Sequence, residues 1–231
     1  MSNQSAGSKP KLFGLYTLVI VVAVFAVAMA YVEAAVVVYL RGLFYPDGFS
    51  LPLKVIPGRY IAVELFRELA TMVMIATVAG LAGKRFWERF GYFLILFGVW
   101  DIFYYVWLAI TLGWPVSLMD WDILFLIPLP WIGPVIAPVA ISCGMIIAGY
   151  LIIRRFASGG YFRATWPAWI LSLGATAIIL SSFMGDTDAT LRLQQPRPYH
   201  YGLLVAGLVL YGLAFVHAYL KSRPVSSSPQ L

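Results

Sequence analysis

The chain has 231 residues, 61% of them hydrophobic and only 11% charged, with a mean hydropathy of +0.86. A soluble domain carries about 25% charged residues, so too little polar surface is available here to cover a water-soluble globule, and lipid must solvate much of the exterior. The net charge of +6 is scattered over short loops, which argues against a nucleic-acid partner, and the single cysteine, Cys143, excludes an intrachain disulfide.

Residues 1–11 are polar and read as a disordered cytoplasmic N-terminus. The first span is expected over 12–40. It contains Ala28-Met29-Ala30, which loosely resembles a signal-peptidase site, but apolar sequence continues beyond it and an uncleaved span is the better reading. A proline- and glycine-rich loop over 45–58 leads to a second span at 59–83. The charged turn 84–89 separates it from a third span at 90–112. Pro128, Pro130, Pro134 and Pro138 then rule out a regular helix at the start of the next apolar stretch. Irregular backbone is not tolerated against lipid, so Asp122–Leu129 is expected to be an interfacial or re-entrant segment before a fourth span at 131–153. Spans at 166–184 and 202–220 follow, and 221–231 is a cytoplasmic tail. The expectation is an all-α polytopic bundle of about six spans forming one transmembrane domain over 12–220.

Basic residues set the orientation. With the N-terminus inside, ten of them (Lys9, Lys11, Lys84, Arg85, Arg89, Arg154, Arg155, Arg163, Lys221 and Arg223) are cytoplasmic. Five (Arg41, Lys54, Arg59, Arg192 and Arg197) are opposite. This agrees with the positive-inside rule for a plasma or inner membrane, both termini being cytoplasmic.

On that topology Glu88 is the one cytoplasmic acid, and Asp47, Asp186 and Asp188 lie in the opposite loops. The acids within spans carry the most information, because an ionised carboxylate at membrane depth costs roughly 2.5–3.5 kcal/mol and must face protein or water. Glu33, Glu64 and Glu68 fall in the outer half, with Asp101 deeper. Residues three and four apart share a helix face, so Glu64, Arg67, Glu68 and Thr71 form one polar stripe. Two carboxylates four apart can chelate a metal or share a proton. Alternatively, Arg67 pairs with Glu64 and Glu68 as a structural knot.

Tyr104 and Tyr105 lie on the same side of their helix as Asp101, where they can hydrogen-bond it or line a cavity with Trp100; alternatively Asp101 is protonated and hydrogen-bonds across to a neighbouring helix. Trp114, Trp121 and Trp131 read as headgroup anchors or as a ligand cage. Asp120 and Asp122 either cap the following segment or form the mouth of a site over Glu64 and Glu68. His200 is a candidate ligand beside the acids, whereas His217 lies about 25 Å further along the same helix and cannot share an ion with it.

Three functions are compatible with this pattern. The first is a membrane-embedded enzyme modifying a lipid or isoprenoid, with Glu64, Glu68 and Asp101 catalytic and Glu33, Glu64, Glu68 and His200 holding a divalent metal. The second is a small transporter or channel moving protons or cations. The third is an accessory subunit, paired with another membrane protein or with a second copy. No Walker loop, dinucleotide fingerprint, GxSxG elbow or HExxH occurs in the sequence.

Overall fold

The structure, a computed structural model, describes residues 9–46, 48, 57–127, 130–185, 192, 194 and 197–222. The described residues form six long helices and one β-hairpin. In chain order these are α1 (Lys9–Phe44), α2 (Gly58–Ala82), α3 (Phe86–Leu112), β1 (Trp121–Phe125), β2 (Trp131–Pro134), α4 (Ile136–Ala157), α5 (Trp166–Met184) and α6 (Tyr201–Lys221). Five of the helices are long and apolar enough to cross a membrane, and the chain is an integral membrane protein built as a helical bundle. α2 is not among the five; it carries Arg59, Glu64, Arg67 and Glu68 along its 25 residues.

Local signals explain the helix ends. α3 opens with Glu88 reaching back to the backbone N–H groups of Lys84 (2.9 Å) and Arg85 (3.4 Å), and it closes on Gly113 in the left-handed conformation, φ 65°. α5 starts at Thr165, whose hydroxyl accepts from Ala168 N, with Pro167 in the first turn where a missing N–H costs nothing.

The segment before the fourth long helix departs from the all-α expectation. Within the predicted interfacial segment Asp122–Leu129, residues 122–125 are strand, and the helix begins at Ile136 instead of 131 because Trp131–Pro134 is the returning strand. Aromatic and β-branched residues favour strand here, and the prolines forbid helix. The pair is antiparallel, with Asp122 opposite Gly133 and Ile123 opposite Ile132, and its register shifts between Ile123 and Phe125. A two-stranded hairpin is marginal alone and depends on what it packs against. β1 faces α1, α2 and α3 through polar contacts. β2 lies on α5 and on the chain just before α6, where Trp131 stacks on Phe183 at 6.0 Å and Gly133 fits against Phe183 and Tyr199.

In lipid, helices associate by close packing, since tails are as apolar as leucine. α3 and α4 cross where glycines face one another: a Cβ on Gly149 would sit 2.5 Å from the Gly91 carbonyl oxygen, and one on Gly98 would sit 2.7 Å from that of Ser142. α1 runs alongside α3, tied by the Trp107 indole donating to the Val27 carbonyl at 3.0 Å. α5 and α6 form a second close pair through Gly207, against Ile179, and through hydroxyl contacts between Thr176 and Tyr211 and between Ser182 and Tyr199. One end of the bundle gathers the 83–89 turn, the 157–165 loop and Ser222; the other gathers Arg41, the hairpin and Tyr199.

Candidate functional site

The polar stripe of α2 meets α1 at Glu33. The Glu33 carboxylate, almost wholly buried, is ion-paired with Arg67 and accepts from the Thr71 hydroxyl at 2.6 Å. Arg67 also binds Glu64 one turn earlier, at 2.8 and 2.9 Å. The spacing expected from sequence is present, but one partner differs: Arg67 bridges Glu33 and Glu64, and Glu68 turns to the hairpin. Both Glu68 oxygens accept from the Leu126 backbone N–H, at 3.0 and 3.1 Å, just past the end of β1. The ladder leaves that donor free, and a buried N–H must find an acceptor.

The hairpin brings a second acid. Asp122, buried on β1, pairs with Arg41 near the end of α1 at 3.1 Å, with the Tyr105 side chain close by. The Arg41 guanidinium also lies 3.8 Å from the centre of the Trp114 ring. Burial pushes the Asp122 carboxyl up to about 6, although the Arg41 charge pulls the other way. Deeper, Asp101 accepts from Ser142 of α4 at 2.8 Å. Tyr104 is within the fields of Asp122, Arg41, Arg67 and Asp101.

The structure therefore brings together Glu33, Glu64, Arg67, Glu68, Thr71, Asp101, Tyr104, Tyr105 and Asp122. Several expectations need correction. Tyr105 lies beside Asp122, and Asp101 bonds across to Ser142 of the neighbouring helix α4, the alternative expected for it, and not to a tyrosine. Trp100 packs in the apolar core between α1, α2 and α3. Asp120 accepts from Val116 N (2.7 Å) and Ser117 N (3.1 Å), closing the turn before it; it neither caps the segment after it nor forms a mouth. The metal set Glu33, Glu64, Glu68 and His200 is not assembled. Arg67 occupies the place of an ion between Glu33 and Glu64, Glu68 faces Leu126, and His200 is exposed at the start of α6. Among the described residues no three His, Cys, Asp or Glu side chains come together to hold a metal. Of the tryptophans, Trp114 lies under Arg41, Trp121 meets Tyr199 edge-on and Trp131 stacks on Phe183. Asp47, Asp186 and Asp188 lie outside the described residues.

Sequence reasoning missed Arg41 and Ser142. Arg41 looked like a loop cation, and its partner is 81 residues away. Ser142 sits in an apolar run with no local acid.

A second feature lies along α1 and α3. An apolar groove of about 670 Å3 is lined by Ile20, Val24, Val27 and Tyr31 of α1 and by Phe103 and Trp107 of α3, among others. Tyr31 and Trp107 meet edge to face at one end of it.

Comparison of the chain with protein-family models, with curated proteins and with solved structures gives no match.

Proposed function

We propose that the chain spans the membrane six times with both termini cytoplasmic, and that its outer half holds a proton-exchanging carboxylate cluster serving proton-coupled movement of a small solute or ion. The six-span reading includes α2, whose Glu64, Arg67 and Glu68 are directed at one another, at Glu33 and at the hairpin. The basic turn at 84–89 and the residues around 154–163 favour the cytoplasmic placement of that end.

One observation carries the functional reading. Five carboxyl groups (Glu33, Glu64, Glu68, Asp101 and Asp122) share two guanidiniums, Arg41 and Arg67, among the described residues. Three uncompensated anions at membrane depth are too costly to retain, so the excess carboxyl groups carry protons or attract a cation. Such groups are characteristic of proton relays. Tyr104 and Tyr105 feel the charges of both Asp122 and Asp101, and their hydroxyls are the groups we assign to passing a proton inward.

The test is an infrared pH titration of the reconstituted protein, following the carbonyl stretch of protonated carboxyl groups, joined to dye-reported proton uptake into vesicles under an imposed potential. A protonated-carboxyl band at neutral pH, reduced by Glu68→Gln and by Asp101→Asn, is expected. So is proton uptake that Glu64→Gln/Glu68→Gln abolishes. Absence of that band at neutral pH in protein that holds no bound cation refutes the charge argument.

A second reading, a membrane-embedded lipid- or isoprenoid-modifying enzyme, is favoured by the groove between α1 and α3, which has the width and apolar lining for a chain. A protonated band without proton uptake moves the balance to that reading. If the Glu64→Gln/Glu68→Gln protein folds normally and loses neither band nor uptake, an accessory role for the cluster is left.

A further inference from the structure

We infer that the end of the bundle formed by the 83–89 turn, the 157–165 loop and the end of α6 is a docking surface for the headgroups of anionic phospholipids. Six exposed cations lie there: Lys84, Arg85, Arg89, Arg154, Arg163 and Lys221. The acid among them, Glu88, is turned onto the backbone N–H groups of Lys84 and Arg85 and is spent in capping α3. At the opposite end Arg41 is matched by Asp122.

The cations come from separate stretches of chain and are held together by packing. Ser222, buried at the end of α6, accepts the Arg163 backbone N–H on its hydroxyl at 3.3 Å, while its carbonyl accepts from Arg155. Arg85 lies 5.9 Å from the centre of the Phe156 ring, and Trp87 packs edge-on to Phe162 at 5.4 Å. The surface is thus a fixed array. Exposed aromatic rings border it: Phe86 at 67% exposure and Trp166 at 80%. Rings of this kind sit at the headgroup level, which puts the cations at the depth of lipid phosphates. Each Lys or Arg held near an anionic surface attracts it, and a basic pocket between helices selects anionic headgroups. The inference depends on charge and packing at this end, and it stands whichever leaflet that end faces and whatever the carboxylate cluster does.

The experiment uses the full chain in a mild neutral detergent, mixed with equal amounts of phosphatidylglycerol and phosphatidylcholine, with retained lipids counted by native mass spectrometry. A several-fold preference for phosphatidylglycerol is expected. It should collapse in Arg154→Gln/Arg163→Gln/Lys221→Gln and persist in Arg59→Gln, which removes an exposed cation at the far end. If the triple variant loses its helical circular dichroism, Lys84→Gln/Arg154→Gln, two fully exposed changes, decides instead. Equal retention of the two lipids by the wild type overturns the inference. So does a preference that survives the removal of the cations, or one that Arg59→Gln abolishes equally.

Discussion

Replacing Arg67 by leucine tests whether the α1–α2 contact is electrostatic. Arg67 is bonded to Glu33, whose side chain is 4% exposed, and to Glu64, 13% exposed. In Arg67→Leu, Glu33 keeps the Thr71 hydroxyl on one oxygen, but neither carboxylate retains a guanidinium. Removing one partner of a buried pair typically costs about 3–5 kcal/mol, because the remaining charge stays desolvated. Glu64 can reach some water, so the expected loss lies near the low end, about 3 kcal/mol. Neutralising both acids as well, in Glu33→Gln/Glu64→Gln/Arg67→Leu, removes the stranded charge and keeps an acceptor for Thr71. The triple variant should therefore recover about 2 kcal/mol relative to the single one, a non-additivity that only directly coupled groups show. The assay is equilibrium unfolding in mixed micelles titrated with dodecyl sulfate and followed by helical circular dichroism. A single variant within about 0.5 kcal/mol of wild type, or a triple variant no more stable than the single one, would refute the reasoning.

Three further outcomes follow from other contacts. Gly149→Val should cost about 1–3 kcal/mol by forcing α3 and α4 apart, whereas Gly144→Val, with open space around it, should be nearly neutral in the same assay. Glu68→Ala should leave the Leu126 N–H unpaired at a cost of roughly 1–3 kcal/mol and speed its amide exchange; Glu68→Gln, which keeps an acceptor, should cost less. Asp122 titrates at about 6 in the folded chain against an ordinary value of 3.8. The fold binds that proton more tightly, so its stabilising contribution is complete below about pH 4 and is lost as pH rises through about 6, a difference on the order of 3 kcal/mol. Unfolding of wild type and Asp122→Asn across this range should show the variant gaining relative stability as pH rises; a parallel pH dependence would contradict this.

The helices were legible because apolar runs of the right length between charged or proline-rich breaks leave few alternatives in lipid. The fifth lies at Trp166–Met184, as expected from the sequence. The stripe on α2 was legible for a similar reason, since helical spacing dictates which side chains share a face. What the sequence concealed was pairing between elements. Nothing local to Arg67 distinguishes Glu68, one residue on, from Glu33, 34 residues back, and the choice was made by where α1 packs. The hairpin was concealed because strand signals of four or five residues are easily lost in an apolar, proline-broken stretch. His200 looked like a ligand from its neighbours in sequence, yet no hydrogen bond or ion pair among the described residues joins it to the acids.

The pairing of α2 with Glu33 also bears on how the protein is made. A segment presenting Glu64, Arg67 and Glu68 to the bilayer alone would meet a penalty of about 2.5–3.5 kcal/mol for each charge near its centre. α1 leaves the ribosome first and already carries the carboxylate that Arg67 needs. Partitioning from the translocon should thus favour α1 and α2 entering together as a helical pair, with the polar face closed between them before lipid is met. Glu33 in this view acts during biogenesis, as a chaperone built into the preceding segment, and its loss should show first as α2 left outside the membrane in newly made chains.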